Sequence, residues 1–536
     1  MDNKTPANEL INNSTNKDTV AEEQISLHKW QRLSPIAILY FAASSVKQIF
    51  SNALYLIPVL AINYKSILQN PLIWLPAVAV VLGILLLFAI LNYKVYRFRL
   101  SASNIEIRSG VINKKHLNLP FERVQNVKLE QPVYFRLTGH VCLQLDTAGS
   151  AKNEAKLIAL DIAFAEQLKT HILDYAQNVD PTVNLSDKVE GKANSQSTAE
   201  ICINSRSLSD LIIHGITSNR IWIFLGALAP FYDKIIRSVS ESLENIGIDL
   251  STLFNLQTHS IIEVTLYALS ITILIMLLLV SLSVIGSIIS FYGYTLNKID
   301  DRYIRRSGLL TKHEVSMRLS RLQMIVQKQD WLDVLLKRIN LTFEQNNSIQ
   351  TNNVNSATNN KIIVPSIKPN ECQELIDDVY PANNLAALIK QQKFCPISRR
   401  FIFRNIAFIC LPIWLLVCVF VLVNNNWPLA AIITIVFLMV CGLVFLRWKR
   451  WGIATDENYV YIRKGLLGVD YFCFPLFKIQ QTQFMQSLLM KKRKLASIKF
   501  VLASGALKIP LIEESFAYRL INECLFKVES SKKSWM

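Results

Sequence analysis

Tyr303-Ile-Arg-Arg-Ser-Gly308-Leu-Leu is a stretch whose pattern recurs at two other places in the chain. The other copies are Ile105-Glu-Ile-Arg-Ser-Gly110-Val-Ile and Val460-Tyr-Ile-Arg-Lys-Gly465-Leu-Leu. In each copy, apolar residues lead to an arginine and a glycine, and an apolar pair follows. Such a pattern is typical of a strand, and glycine permits the positive φ of a tight hairpin turn. The stretch therefore predicts a β-hairpin that occurs three times.

The residues around each glycine keep fixed spacings, which is hard to obtain by chance. An aromatic residue lies 14 positions before the glycine and an arginine 2 before it, while a basic residue lies 13 after it and a glutamine 15 after it. We therefore expect three copies of one structural unit. The aromatic, glycine and glutamine positions are Tyr96, Gly110 and Gln125, then Tyr294, Gly308 and Gln323, then Trp451, Gly465 and Gln480. The basic positions are Arg108 and Arg123, Arg306 and Arg321, and Arg463 and Lys478.

Further strands and a closing helix follow each hairpin, so each unit is predicted to be a small antiparallel β-domain with one C-terminal helix. The first copy adds Val141–Asp146, Lys156–Leu160 and the helix Ile162–Tyr175; the second adds Ile339–Phe343, Lys361–Ile367 and Glu371–Val379; the third adds Ser497–Leu502, Leu507–Ile512 and Ser515–Val528. About 80 residues are just enough for such a domain to bury its own core.

Three uncharged apolar runs predict an integral membrane protein. No charged residue occurs between positions 65 and 94, between 263 and 298, or between 404 and 447. A helix needs roughly 20 apolar residues to cross about 30 Å of hydrocarbon. The third run is interrupted at Asn424–Trp427 and is long enough for two crossings, and the other two runs hold at least one each.

A weaker apolar segment precedes each of the first two strong runs, which gives six predicted transmembrane helices in three hairpins. Gln48–Tyr64 precedes the first run and Ile221–Tyr232 the second. The latter is short, and it spans only if Leu211–Ile216 extend it and Arg220 is shielded by neighbours or snorkels. Whether residues 211–236 cross the membrane therefore decides whether all three domains face one side.

The net charge of +17 is concentrated outside the apolar runs. From Arg447 to the C-terminus there are 16 Lys and Arg against 7 Asp and Glu, whereas Ser238–Ser260 has three acidic residues and no Lys or Arg. Basic segments stay on the cytoplasmic side of a membrane. We therefore expect a multi-pass protein of the cytoplasmic (inner) membrane, with the three domains and both termini cytoplasmic.

The order of hairpin, aromatic strand, Arg-x-Gly turn, basic-x-Gln and terminal helix resembles the bacterial membrane-flanked pleckstrin-homology-like (PH-like, DUF304) family. The triple-copy layout is similar to its YdbT-like branch, and the resemblance covers roughly residues 35–175, 210–390 and 395–528. The resemblance implies an α+β membrane protein in which each hairpin is followed by a PH-like domain of two near-orthogonal antiparallel sheets and a capping helix. It also implies no enzymatic activity.

These observations divide the chain into nine segments. A polar, disordered N-terminus (1–34) precedes hairpin 1 (35–92), PH-like domain 1 (93–177), a flexible linker (178–207), hairpin 2 (208–292), PH-like domain 2 (293–390, with a disordered Asn-rich insert at 346–360), hairpin 3 (395–447), PH-like domain 3 (448–528) and a tail (529–536). Gly139 of the first copy has no clear counterpart in the other copies.

The basic positions are the candidate contacts for lipid or a partner. The six repeated basic residues either form a rim that binds lipid phosphate or an acidic partner, or they satisfy loop carbonyls and nearby carboxylates. The densest run either touches anionic headgroups or is a solvated loop, and it consists of Lys491, Lys492, Arg493 and Lys494. The fixed position of the repeated glutamines predicts that their side chains form hydrogen bonds to the sheet backbone. The nine cysteines form no C-x-x-C pair.

No catalytic or metal-binding motif is present, so we expect no enzyme, no cofactor and no metal. The sequence predicts a membrane-anchored scaffold whose domains bind protein partners, further copies of the chain or anionic lipid, with a role in envelope assembly or stress defence by analogy. It identifies no small-molecule substrate, and a chain held against a bilayer is not expected to bind nucleic acid. The alternatives are a transport or lipid-handling component that works through its helices, and an enzyme with an unrecognised site.

Overall fold

The structure is a computed structural model that describes most of the chain. The described ranges are 29–52, 71–101, 103–111, 113–147, 155–178, 200–218, 260–345, 361–423 and 427–531, with single positions between 233 and 245. Most of the predicted N-terminal tail, most of the predicted span Gln48–Tyr64, all of Ile221–Tyr232 and the insert 346–360 lie outside these residues. The chain forms two compact units, one of residues 1–198 with 310–316 and the other of 199–309 with 317–536.

The three repeats each fold as strands and a capping helix, here called modules 1, 2 and 3. Module 1 and its hairpin contain β1 (Gln31–Arg32), α1 (Ala37–Asn52), α2 (Pro71–Val95), β2 (Arg97–Leu100), β3 (Asn104–Ser109), β4 (Lys115–Pro120), β5 (Val124–Gln131), α3 (Val133–Arg136), β6 (His140–Thr147), β7 (Ala155–Asp161) and α4 (Ile162–Asn178).

Module 2 and its hairpin repeat this order. They contain β8 (Ile201–Ser205), α5 (Leu208–Thr217), α6 (Ile261–Phe291), β9 (Thr295–Ile299), β10 (Arg302–Ser307), β11 (Lys312–Arg318), β12 (Met324–Gln329), α7 (Trp331–Leu335), β13 (Ile339–Glu344), β14 (Lys361–Ile367) and α8 (Pro369–Val379). A further short helix, α9 (Leu385–Gln391), leads to module 3.

Module 3 repeats the order once more. It contains β15 (Cys395–Pro396), α10 (Arg400–Val423), α11 (Trp427–Arg450), β16 (Gly452–Thr455), β17 (Tyr459–Lys464), β18 (Val469–Pro475), β19 (Gln481–Met485), α12 (Leu488–Lys491), β20 (Leu495–Leu502), β21 (Gly505–Glu513) and α13 (Glu514–Ser531). The predicted strands and capping helices of all three copies are therefore present, with ends that differ by a few residues.

The strands pair antiparallel throughout, and some sheets contain strands from two repeats. The first unit has the orders β1-β2-β3-β4 and β7-β6-β5-β11. The second has β8-β9-β10, β19-β20-β21 and a seven-stranded sheet in the order β14-β13-β12-β18-β17-β16-β15. Modules 2 and 3 thus share one continuous sheet, which the sequence did not predict.

Each module begins before its hairpin, which corrects the predicted domain order. Residues 201–205, predicted to belong to a flexible linker, form β8 and pair with β9 on the far side of the hairpin. In the same way β1 pairs with β2 and β15 pairs with β16. Each segment that the sequence predicts to be a hairpin therefore lies between the first and second strands of a sheet, whereas the sequence predicted that it would precede the whole domain.

The module cores are formed by the inward faces of the strands and by the capping helix. In module 1, Ile105, Leu143 and Ile172 are fully buried. In module 3, Val460 and Phe500 are fully buried in the same way. Burial of one large apolar side chain contributes about 1.5–3 kcal/mol, so these cores stabilise modules 1 and 3.

Three described helices are long and apolar enough to cross a membrane, namely α6, α10 and α11. Apolar helices of 10–17 residues also occur in α1, α2 and α5. Helix α1 begins at Ala37, well before the predicted start at Gln48. Helices α5 and α6 pack closely, because Gly215 lies against the backbone of Val284 and the Ser287 hydroxyl donates to the carbonyl of Leu211 at 2.8 Å.

Candidate membrane and partner interfaces

The three turn arginines share one kind of contact: each guanidinium meets a residue that lies just before the first strand of its module. Through these contacts the arginine fixes the short strand that enters the hairpin to the strands that leave it. The pairs are Arg108 over the ring of Trp30 at 4.1 Å, Arg306 with the carboxylate of Glu200 at 2.5 Å, and Arg463 over the ring of Phe394 at 5.1 Å.

The second basic set ends the three-residue helical turns that precede β5, β12 and β19. Lys478 is buried, and its ammonium group donates to the carbonyl of Ser320 at 2.6 Å and to that of Leu322. Burial lowers the pKa of Lys478 to about 8. Because Ser320 and Leu322 belong to module 2, this lysine holds the junction of modules 2 and 3. Arg123, at the same position in module 1, is exposed.

The two basic sets do not form the common rim that the sequence allowed. Arg463 lies near the C-terminal end of β17, and Lys478 follows the C-terminal end of β18. The two strands are antiparallel, with Tyr459 opposite Pro475, so these bases lie at opposite ends of the sheet. A strand of this length spans about 17 Å.

A recurrent tip, formed by the short helix after β5, β12 or β19 and the residues up to the next strand, exposes apolar and basic side chains together. Leu137, Leu335 and Leu488 are 93%, 71% and 84% exposed. The tips also carry Arg136 in module 1, Lys337 and Arg338 in module 2, and the exposed run Lys491, Lys492, Arg493 and Lys494 in module 3.

The tips end at one recurrent backbone position, which corrects the view that Gly139 has no counterpart. Lys337 and Lys494 occupy the same place relative to the turn glycine, and all three have φ between 52° and 67°. Residue type hid this equivalence, because two of the three copies put lysine in the left-handed conformation.

In module 2 the tip contacts the helix that enters the hairpin. Arg338 pairs with Asp210 of α5 at 3.0 Å. Asn340 joins the two elements, because its Oδ1 lies 2.9 Å from His214 Nδ1 and its amide donates to Asp333 Oδ2 at 2.9 Å. The tip of module 2 therefore lies beside the point at which the chain leaves the module for the apolar hairpin.

Asp333 is fully buried within this polar contact. Its carboxylate accepts hydrogen bonds from the main-chain NH of Asp330 and from Asn340, and the Thr217 hydroxyl is also within hydrogen-bonding reach. Loss of solvation on burial exceeds these favourable bonds and raises the pKa of Asp333 to about 6. The contact between tip and entry helix thus contains a carboxyl group that titrates near neutral pH.

Comparisons with known proteins fit this arrangement of helices and repeated modules. The family described as Bacterial PH domain matches residues 55–176 and 401–526. The transmembrane protein YdbT of Bacillus subtilis (strain 168) is 19% identical over 487 residues, covering 89% of this chain and 93% of that protein. The chain is similar to YdbT-like membrane proteins, and two of its segments match the Bacterial PH domain family.

The transmembrane protein YdbS of the same organism is 29% identical over 94 residues, which cover 18% of this chain and 56% of that protein. The first family match begins within hairpin 1 and ends in module 1, the second includes nearly all of hairpin 3 and of module 3, and the similarity to YdbT extends over module 2 as well. These similarities support a membrane-associated chain with repeated PH-like domains.

The repeated glutamines of this YdbT-like chain differ in their surroundings. The main-chain NH groups of Gln323 and Gln480 donate to the equivalent carbonyls of Glu344 and Val501, both at 2.9 Å. The side chain of Gln323 is buried, whereas that of Gln480 is exposed, so a shared side-chain role is not observed. The side chain of Gln125 lies outside the described residues.

A different glutamine has the role that we expected of this set. Its side-chain amide donates to the main-chain carbonyl at the start of the next strand, and it does so in all three modules. The signal was present in the sequence, because this glutamine lies 21 positions after the turn glycine in every copy. The three bonds are Gln131 to His140 at 3.3 Å, Gln329 to Arg338 at 3.0 Å and Gln486 to Leu495 at 3.0 Å.

The remaining repeat positions have structural roles. Tyr96, Tyr294 and Trp451 are buried, and the Tyr96 hydroxyl donates to the carbonyl of Lys156 at 2.5 Å. The turn glycines Gly110 and Gly308 have φ of 94° and 118°, as the hairpin turn requires. Gly465 is not in this conformation, but a Cβ there would lie 2.1 Å from the carbonyl oxygen of Gly468.

Proposed function

We propose that this chain is a non-enzymatic scaffold that holds three PH-like modules against the cytoplasmic leaflet of the membrane, with their tips in contact with anionic lipid. The observation that carries the proposal is the pairing of the strand before each hairpin with the strand after it. Two paired strands lie on the same side of a membrane, so the chain between them crosses an even number of times.

This parity applies to each hairpin separately. Residues 206–294 contain α6, which is long enough to cross, so an even number requires a partner crossing between β8 and α6. The apolar segment Ile221–Tyr232 is the part of the sequence that meets this need. In the third hairpin, α10 and α11 already make a pair. The connections between modules are polar, and the modules are basic, which favours the cytoplasmic side for all three.

The exposed tips supply the membrane contact of this proposal. Trp331 and Leu335 are 56% and 71% exposed, and both lie beside the helix that enters hairpin 2. Apolar side chains next to Lys and Arg suit the headgroup region, and each basic residue near an anionic surface contributes about 1 kcal/mol. Since one chain carries three tips, individually weak contacts reinforce one another.

Two native cysteines allow a direct test of the sidedness. Cys202 in β8 and Cys395 in β15 are exposed. Single-cysteine chains that retain Cys202 or Cys395 are to be labelled with a membrane-impermeant maleimide in right-side-out and inside-out vesicles. A Ser251→Cys chain, in the acidic loop of hairpin 2, is the opposite-side control.

We expect Cys202 and Cys395 to react only in inside-out vesicles and the Ser251→Cys chain only in right-side-out vesicles. Labelling of Cys202 and Cys395 from opposite sides would contradict the proposal.

The lipid contact is tested with spin labels at Leu488→Cys in the tip of module 3 and at Glu523→Cys on its capping helix. Both positions are exposed, but Glu523 lies nine residues along α13, about 13 Å from its start. In nanodiscs with anionic lipid, the Leu488→Cys label is expected to be shielded from a water-soluble relaxation agent and the Glu523→Cys label not. Equal exposure of both labels would remove the lipid contact from the proposal.

A further inference from the structure

The junction between modules 2 and 3 is an edge-to-edge strand pairing. Strand β12 of module 2 pairs with β18 of module 3, with Ile325 opposite Cys473 and Lys328 opposite Asp470. Side chains on the paired strands are buried, and Val326 of β12 and Cys473 of β18 are fully buried. Lys478 adds its two hydrogen bonds to module 2 at one end of this pair.

A second pairing of the same kind occurs in the first unit. Strand β5 of module 1 pairs with β11, which is the copy of β4 and β18 in the second repeat. Glu130 lies opposite His313, and these two are the repeat equivalents of Lys328 and Asp470. The register is therefore identical at both junctions, although the residues that meet are different.

The two internal pairings join β5 to β11 and β12 to β18. They leave one strand of each kind with an open edge, namely β4 in module 1 and β19 in module 3. Among the described residues, β4 pairs only with β3, and β19 pairs only with β20. Both edges are more open than their paired equivalents: Asn118 is exposed and Thr482 is half-buried, whereas Cys473 and Ile325 at the same positions are fully buried. Free strand edges present unpaired NH and carbonyl groups that favour addition of another strand.

We infer that β19 of one chain pairs with β4 of a second copy of the same chain, in the register of the two internal junctions. This register places Thr482 opposite Asn118, Phe484 opposite His116 and Gln486 opposite Lys114. The inference is independent of the proposed lipid contact. The strand pairing that joins modules within one chain would then also join modules of two different chains.

A second copy of the chain is the partner that fits both edges, because among the described strands the open edge complementary to β4 is that of β19. The contact is heterologous, so the same two surfaces are used in every addition and the assembly extends or closes into a ring. The charges are compatible: Lys114 and Lys115 of the β4 edge meet the uncharged residues of β19. Arg123, the exposed equivalent of Lys478, is then placed at the turn that precedes the partner's β19.

Backbone alternation identifies the best position for a cross-link. In the register of the internal junctions, Thr482 and Asn118 lie directly opposite each other, as Ile325 and Cys473 do, with their side chains on the same face of the sheet. Gln483, the next residue, directs its side chain to the other face.

The test uses the full chain in membranes, with the exposed Cys202 and Cys395 changed to serine. Two differently tagged forms, one with Asn118→Cys and one with Thr482→Cys, are expressed together and oxidised with copper phenanthroline. We expect a disulfide-linked dimer that carries both tags, at least about fivefold more than with Gln483→Cys in place of Thr482→Cys. The internal pairing offers a positive control, because Ile325→Cys faces the native Cys473.

Two further outcomes would overturn the inference. Cross-linking of either form only with itself would indicate that like edges pair, and no mixed dimer beside a positive internal control would indicate that the edges stay free. A second variant removes a backbone donor of the β19 edge. Phe484 is the equivalent of Gln327, two residues before Gln329, whose carbonyl oxygen lies against Gly468 at the internal junction; the NH of Phe484 therefore faces outward, where proline is tolerated. Phe484→Pro should abolish the mixed dimer, and Phe484→Ala should leave it unchanged.

Discussion

The buried carboxyl group of Asp333 predicts a specific pH dependence of the contact between the module 2 tip and helix α5. Asp333 has a pKa of about 6 in the fold, compared with 3.8 when solvated. Between these values the folded form binds more protons than the open form, so the contact is most stable below pH 4 and weakens as the pH rises to 6. A displacement of the pKa by about two units corresponds to roughly 3 kcal/mol over the whole titration, of which about 2 kcal/mol falls between pH 4.5 and pH 7.

Asp333→Asn keeps an oxygen acceptor for the NH of Asp330 and for Asn340 but does not titrate. Hydrogen–deuterium exchange of residues 330–345, corrected for intrinsic rates, gives the free energy of opening at pH 4.5 and at pH 7. The original chain is expected to lose about 2 kcal/mol over this interval more than the Asp333→Asn chain does. Glu374→Gln, which changes an exposed acid of the same module, is the control. An equal loss in all three chains would refute the assignment.

Two further substitutions test contacts that hold the modules and hairpins together. Gly215→Ala places a Cβ 2.5 Å from the backbone of Val284, so we expect α5 and α6 to separate at a cost of about 1–3 kcal/mol, measured as a lower midpoint of thermal unfolding in detergent. Gln329→Leu removes the hydrogen bond from the side-chain amide to the carbonyl of Arg338. We expect the free energy that protects β13 from hydrogen exchange to fall by about 1 kcal/mol.

Strong periodic signals in the sequence predicted the regular elements of the modules well. The strand Lys361–Ile367 is found with the predicted ends, and the capping helices begin within two residues of the predicted positions. Long apolar runs likewise predicted α6, α10 and α11. These features depend on residue type along one segment, which a single sequence displays directly.

Features that depend on tertiary contacts were not predictable from residue type. The last strand of each module contains a bulge with one residue in the left-handed conformation, and the residues are Ala159, Ser366 and Leu511. None of them is glycine, so nothing in the sequence marks the position. The strand β15 is two residues long and gains its structure only by pairing with β16 after the hairpin, so its local sequence holds no strand signal.

The glutamine result shows why a fixed spacing is not sufficient to assign a role. Gln125, Gln323 and Gln480 recur as regularly as Gln131, Gln329 and Gln486, but only the second set makes the same side-chain bond in each module. At the first set the shared contact is made by the main chain, which any residue can provide. Spacing therefore located the structural repeat, and only the geometry separated side-chain roles from backbone roles.

The equivalent strands β4 and β18 differ in polarity according to whether their edge is paired within the chain. At the paired edge of β18 the residues are Tyr471, Phe472 and Cys473, whereas the equivalent residues of the open edge β4 are His116, Leu117 and Asn118. An edge covered within the same chain can be apolar, but an edge that must remain soluble until a partner arrives has to tolerate water. Polar substitution at β4, with retention of the register that both internal junctions share, is what an intermolecular edge requires.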